Sequence, residues 1–169
     1  MIDVRKKSRY SIDRKMWGGA IEAVMLEDAM QEPPESAFFL TKGTVPKKER
    51  YLEVTFVNGV PVALNGKKMR LVTLIETLNR IAGPYKIGRV DMIENRLVGI
   101  KSREIYEAPA AHVLMLAHRE LESMVFDRDY MHYKEILSRK YAELVYYGLW
   151  FSSLREALDS FFAAHQSRV

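Results

Sequence analysis

The segment Leu52-Glu53-Val54-Thr55-Phe56-Val57-Asn58-Gly59-Val60-Pro61-Val62-Ala63-Leu64 carries the plainest structural signal in the chain. Leu52, Val54 and Phe56 alternate with Glu53 and Thr55, and Val60, Val62 and Leu64 resume after Asn58-Gly59. A period of two sends alternate side chains to opposite faces, and Asn-Gly tolerates the positive φ of a type I′ turn, so the pattern predicts a β-hairpin. Pro61 has no N–H to donate, which predicts a free edge on one side of the second strand. After Asn65-Gly66 the period lengthens to that of a helix. Leu71, Leu74, Ile75, Leu78, Ile81 and Ala82 form one stripe opposite Thr73, Glu76, Thr77 and Arg80, and Gly83-Pro84 stops it.

On the N-terminal side, Gln31 to Arg50 reads as a surface loop around one short strand at Ala37-Phe38-Phe39-Leu40. On the C-terminal side, residues 88–100 read as short strands, with Val90 and Met92 alternating with Arg89 and Asp91, followed by Leu97-Val98-Gly99-Ile100. Three helices follow. The first runs from about Ala110 to Val125 with Val113, Leu114, Ala117, Leu121 and Met124 inward. The second is capped by Asp127 and carries Tyr130, Tyr133, Leu137, Tyr141 and Leu144 inward. The third opens on Ser153 and Glu156, spaced as a capping box, with Leu154, Leu158, Phe161 and Phe162 inward. The expected fold is therefore α+β: a β-hairpin and short strands forming a sheet, with helices mostly C-terminal.

Composition narrows the function. With 169 residues, 48% of them hydrophobic and 28% charged, the chain fits one globular domain able to bury a core. No apolar run approaches the roughly 20 residues of a membrane span, and Met1 to Arg5 lacks the apolar stretch of a signal peptide. The chain contains no cysteine, which excludes disulfides, thiolate nucleophiles and thiolate metal sites and is compatible with a cytoplasmic location. The net charge of +4 resides in residues 1–15, and the rest is balanced at 20 basic and 20 acidic residues. Residues 1–9 read as a basic, solvated linker leading into a domain over 10–169. A nucleic-acid surface would spread its cations over a groove-sized face, so nucleic acid is not an expected partner; steep salt-dependent binding lost with residues 1–9 would be its sign.

Neither a G-x-x-x-x-G-K-[ST] loop nor a G-x-G-x-x-G loop is present, and Gly18-Gly19 is too short to cradle phosphates. His112, His118, His132 and His165 form no H-E-x-x-H pair and read as structural side chains on helices, so no metal site is expected. Tyr130, Tyr133 and Tyr141 read as core residues with their hydroxyls at the rim. The stretch Glu94 to Glu107 is different. It gathers Glu94, Glu104 and Glu107 with Arg96, Lys101 and Arg103, plus Asn95, Ser102 and Tyr106. A zwitterionic amino acid needs carboxylates for its ammonium and cations or hydroxyls for its carboxylate, and both are here at short range. The same pattern also suits an exposed hairpin with a mixed-charge face.

Asp91-Met92-Ile93-Glu94-Asn95-Arg96-Leu97-Val98-Gly99-Ile100-Lys101-Ser102-Arg103-Glu104-Ile105-Tyr106-Glu107-Ala108-Pro109 closely resembles the signature of the argininosuccinate synthase family, in its C-terminal synthetase domain. Tyr10-Ser11-Ile12-Asp13-Arg14, Trp17-Gly18, Glu32-Pro33-Pro34, Gly59 to Gly66, Ala117 to Glu122 and Tyr141 to Ser152 resemble the family in its order and spacing. The likeness covers roughly residues 8–165.

It implies an ATP-dependent ligase of arginine biosynthesis. In that family the ureido oxygen of citrulline attacks the α-phosphorus of ATP, releasing pyrophosphate, and the aspartate amine then displaces AMP to give argininosuccinate. By position, Ser11, Glu94 and Tyr106 match residues that hold citrulline, and Glu22 matches a carboxylate near the same site. Ala20 stands where the family has a citrulline-contacting serine. No residue of this chain is assigned a catalytic role. ATP with Mg2+ is expected on the family's nucleotide-binding half, which this sequence lacks, so this chain alone is expected to be inactive. Arg168-Val169 falls where the family continues into further strands and an arm that locks a tetramer, so a homo-oligomer is expected and an unpaired sheet edge would favour association. Two readings follow: a synthetase half working with a nucleotide-binding half, or a stand-alone non-catalytic relic acting as a small-molecule-binding or assembly module.

Overall fold

A computed structural model describes residues 10–169, and the basic linker expected at residues 1–9 lies outside the described residues. Among the described residues, seven strands and four α-helices follow one another. They are β1 (Ser11–Lys15), β2 (Gly18–Glu22), β3 (Val54–Val57), β4 (Val60–Leu64), β5 (Lys67–Lys68), α1 (Leu71–Ala82), β6 (Arg89–Asn95), β7 (Lys101–Glu107), α2 (Pro109–Val125), α3 (Arg128–Tyr146) and α4 (Ser153–Gln166). The class is α+β. All pairings are antiparallel, in a four-stranded sheet of order β1-β2-β7-β6 and a three-stranded sheet of order β3-β4-β5. The chain forms two compact units: one ends at Leu52 and resumes over Met69–Leu114, and the other combines Glu53–Lys68 with Met115–Val169.

In the first unit β1 and β2 lie in a region whose polar sequence gave no strand signal. Ser11-Ile12-Asp13-Arg14-Lys15 offers one apolar residue in five, too few to show a period. What fixes these strands is pairing across the chain: Ile21 stands opposite both Ile12 and Ile105. Ile21, Leu26, Ala37, Phe38 and Ile105 form a buried cluster, with Tyr10, Ile12, Ala23 and Phe39 against it. Ala37-Phe38 is therefore part of the core. The region expected to be surface loop holds a 3-10 turn at Glu35–Ala37 and no strand. Leu97-Val98-Gly99-Ile100, expected as strand, is an exposed turn closed by Gly99 N–H donating to Arg96 O at 2.9 Å.

Buried polar groups tie this core to the sheet. Glu107 is fully buried, and its carboxylate accepts from Phe39 N (2.9 Å), Leu40 N (3.1 Å), Thr41 N (2.7 Å) and Thr41 Oγ1 (2.6 Å). Arg103 makes a two-pronged pair with Asp91 (2.9 and 2.7 Å) and donates to the carbonyls of Leu26, Asp28 and Gln31. Arg89 lies over the Phe38 ring and pairs with Glu35. That bond, with those from Gly43 N and Lys86, holds the Glu35 carboxyl down at about 2. α1 buries Leu74, Ile75, Leu78 and Ala82 as its stripe requires, and Asn79 Oδ1 accepts from Ala110 N at 2.9 Å.

In the second unit, Asn58 (φ 52°) and Gly59 (φ 73°) give the type I′ turn. Gly59 has a second reason to be glycine: a Cβ there would lie 2.2 Å from the Gln166 side chain, and its N–H donates to Val169 O at 2.8 Å. Pro61 sits in the middle strand of its sheet, and β5 pairs only with Ala63 and Leu64, so the free edge is confined to the Pro61 end of β4. Asp127 caps α3 by accepting from Tyr130 N at 2.9 Å. The cap of α4 is Ser152, one residue before the expected Ser153, accepting from Arg155 N. Leu144 and Leu158 are buried, whereas Met124, Tyr133 and Leu154 are exposed. Apolar spacing places a residue on a stripe, but how wide a stripe is covered depends on the neighbouring element.

Replacing Glu107 by alanine leaves three backbone N–H groups and a hydroxyl without their acceptor. The expected cost is about 3 kcal/mol of unfolding free energy, read from the urea midpoint at constant slope, with Glu107→Asp recovering part of it.

Candidate functional site

The alternation of β7 decides which charged residues can act together. Arg103, Ile105 and Glu107 face the core, so Arg103 and Glu107 are spent on structure. Ser102, Glu104 and Tyr106 face the other way. Register then assigns their neighbours. Tyr106 stands opposite Ala20 on β2 and Val90 on β6, Glu104 opposite Met92, and Ser102 opposite Glu94; on β1, Ser11 stands opposite Glu22 and Asp13 opposite Ala20. One face of one sheet therefore carries Ser11, Asp13, Lys15, Ala20, Glu22, Glu94, Ser102, Glu104 and Tyr106.

Within this face two groups of bonds occur. The Tyr106 hydroxyl donates to Glu94 Oε1. Arg96, just beyond β6, reaches back over the sheet: its Nε donates to Ser102 Oγ at 2.7 Å, and its Nη2 bonds both Glu104 Oε1 and Glu22 Oε1, the latter at 3.3 Å. Glu94 and Tyr106 are thus joined directly. Glu22 is joined to Glu104 through Arg96, and Ser11 lies on the edge strand beside Glu22. Ala20, the cross-strand neighbour of Tyr106, contributes a methyl group and no donor or acceptor.

The electrostatics are those of a carboxylate-rich surface, with Arg96 over its middle and Lys15 at the end of the edge strand. Glu104 is 3% exposed, and burial, reinforced by the neighbouring Glu22 carboxylate, raises its pKa against the opposing pull of Arg96. Burial and the bond to Glu94 also raise Tyr106, so its hydroxyl keeps its proton and serves as a donor. Arg96 is raised by Glu104 and then by Glu22, and it stays charged. Such a face suits a ligand bearing an ammonium group and further polar atoms. It does not suit ATP, because Asp13, Glu22, Glu94 and Glu104 outnumber Lys15 and Arg96 and would repel a polyphosphate. Among the described residues no group of three or more His, Asp or Glu is arranged to hold a metal ion, and no helix is long and apolar enough to cross a membrane.

Glu104, Arg96 and Ser102 were visible in the sequence as part of a charged stretch, without an individual role. Period-two alternation from Ile105 would have put Glu104 on Tyr106's side, but its burial and its bond to Arg96 depend on the fold of the 96–100 turn. The four histidines sit on α2, α3 and α4. His118 is bonded to Gln166 at 2.6 Å and packed edge-on against Phe56, and burial lowers its pKa, while His165 lies edge-on to Phe126 and tilted against Tyr130 and Phe161.

Fold and face together define an α+β domain with an antiparallel sheet, apolar behind and carboxylate-rich in front. Residues 10–169 match the family model described as "Arginosuccinate synthase C-terminal domain". The chain is 57% identical over 168 residues to argininosuccinate synthase of Dictyoglomus thermophilum, covering 99% of this chain and 42% of that protein. It is 52% identical over 168 residues to argininosuccinate synthase of Synechocystis sp., covering 98% and 42%. Against argininosuccinate synthase of Symbiobacterium thermophilum it is 52% identical over 170 residues, covering 99% and 42%. The chain spans less than half the length of these relatives. It belongs to the argininosuccinate synthase C-terminal domain family.

The raised pKa of Glu104 has a definite sign. An acid that titrates higher in the folded than in the unfolded state favours folding when protonated, so this group adds stability as pH falls through its folded value and loses it as pH rises. Glu104→Gln lacks that dependence. Its stability relative to the parent, from urea unfolding across a pH series, is expected to be most favourable at neutral pH and to decline on acidification; a difference constant with pH would contradict the assignment.

Proposed function

We propose that this chain is the synthetase domain of an argininosuccinate synthase, supplying part of the citrulline site for the ATP-dependent condensation of citrulline with aspartate. The observation that carries this is the convergence of Ser11, Glu22, Glu94 and Tyr106 on one sheet face, with Tyr106 already hydrogen-bonded to Glu94. In this reading the carboxylates of Glu94 and Glu22 receive the α-ammonium of citrulline, and the hydroxyls of Tyr106 and Ser11 bond its other polar groups. The contribution is positioning and charge complementarity. ATP with Mg2+, aspartate and the reacting phosphorus belong to a nucleotide-binding half, with which the domain would work in a homo-oligomer in the cytoplasm. The relic reading has less support, because identity to proteins named argininosuccinate synthase extends over nearly all of the chain.

The deciding experiment is citrulline-dependent release of pyrophosphate from ATP, with this chain alone and then mixed with a nucleotide-binding half of the same family. Release is expected only in the mixture, falling roughly tenfold or more with Glu94→Ala and less with Tyr106→Phe. No release from a folded chain and a competent half would turn the reading to a binding or assembly module.

Ala20 sets a second expectation. Ala20→Ser restores a hydroxyl beside Tyr106, and one added hydrogen bond contributes about 0.5–1.5 kcal/mol, so citrulline affinity by calorimetry should tighten roughly two- to tenfold. An unchanged affinity would mean that citrulline does not reach this position.

A further inference from the structure

We propose that Arg96 is a positioning residue that ties Glu22 to the buried Glu104 on the polar face, fixing the Glu22 carboxylate that an amino-acid ligand would meet in place of one that Glu104 repels. The inference rests on the citrulline reading of this face. Three observations carry it. Arg96 is anchored where the strand ends: its N–H donates to Ile100 O at 2.9 Å, and its carbonyl accepts from Gly99 N at 2.9 Å. From that anchor the guanidinium turns back over the sheet and spans three partners on two other strands, Ser102 and Glu104 of β7 and Glu22 of β2. Glu104 is 3% exposed, so its charge lacks the water that would otherwise stabilise it.

The balance of charges makes the role specific. Among the described residues the titratable groups on this face are Asp13 and Lys15 from β1, Glu22 from β2, Glu94 from β6 and Glu104 and Tyr106 from β7, and Arg96 is the cation that acts on Glu104. Two carboxylates at close range favour a shared or captured proton, and a protonated carboxyl pairs poorly with an ammonium. A guanidinium bonded to both offsets their repulsion and holds them together. Glu94, held by a neutral tyrosine hydroxyl, needs no such brace. The exposed turn Leu97-Val98-Gly99-Ile100 thus gains a function, since it carries the guanidinium to the site without burying the backbone that supports it.

The test uses this chain and the variants Arg96→Met and Arg96→Lys, with folding confirmed by circular dichroism and thermal denaturation. Carboxyl 13C NMR follows the Glu104 titration without ligand, and calorimetry measures citrulline affinity across pH, with the nucleotide-binding half present if the chain alone does not bind. Arg96→Met is expected to move the Glu104 midpoint upward and weaken citrulline binding roughly tenfold at neutral pH, with the loss growing on acidification; Arg96→Lys recovers part of both. A purely structural role would lower the melting temperature without moving the Glu104 midpoint or the pH profile. An unchanged midpoint in a folded Arg96→Met protein overturns the proposal. If the parent fails to bind citrulline in any combination, the functional reading falls, and the ligand-free titration still decides the brace: a raised midpoint supports it and an unchanged one overturns it.

Discussion

Glu107 is a carboxylate with no access to water, and it survives there because three consecutive backbone N–H groups and a hydroxyl of the 39–41 loop converge on it. A buried charge is tolerable only with this degree of hydrogen bonding. The bond network therefore works in two directions. It satisfies the acid, and it pins a loop without regular structure against the back of the sheet, where Phe38 and Ala37 join Ile21, Leu26 and Ile105. Arg103 repeats the arrangement with opposite charge, binding Asp91 and three loop carbonyls. Polar strand residues and polar loops hold together because each side completes the other's hydrogen bonding.

That arrangement frees the opposite face. Strand alternation gives β7 two unrelated sets of side chains, one committed to the core and one available for recognition. Ser102, Glu104 and Tyr106 stand with Glu22 and Glu94 on a surface whose excess of carboxylate matches an ammonium-bearing ligand and disfavours a polyphosphate. The citrulline proposed for this face has that chemistry, and the proposed division of labour follows. One half of the enzyme would hold the amino acid, and the other the nucleotide.

Much of the fold could be read directly. The Asn58-Gly59 hairpin, the stripe of α1, the Asp127 cap and the three C-terminal helices each rest on a local rule, since turn chemistry, period and capping involve residues within a few positions of one another. β1 and β2 could not be read this way, because β1 has one apolar residue in five and pairs only with β2, which is held in turn by β7 about 85 residues further along the chain. The burial of Phe38 and the exposure of Tyr133 and Leu154 were likewise settled by what lies opposite them.

The candidate site divides along the same line. Sequence by itself determined the class of fold, the family resemblance and the choice of Ser11, Glu22, Glu94 and Tyr106 as candidates, because those depend on residue type and order. Tertiary structure alone decided which of the charged residues between Glu94 and Glu107 share a face, that Glu107 and Arg103 belong to the core, and that Arg96 bridges Glu22 and Glu104. The physical reason is that a carboxylate's role depends on its neighbours and its access to water, and both are set by register between strands far apart in the chain.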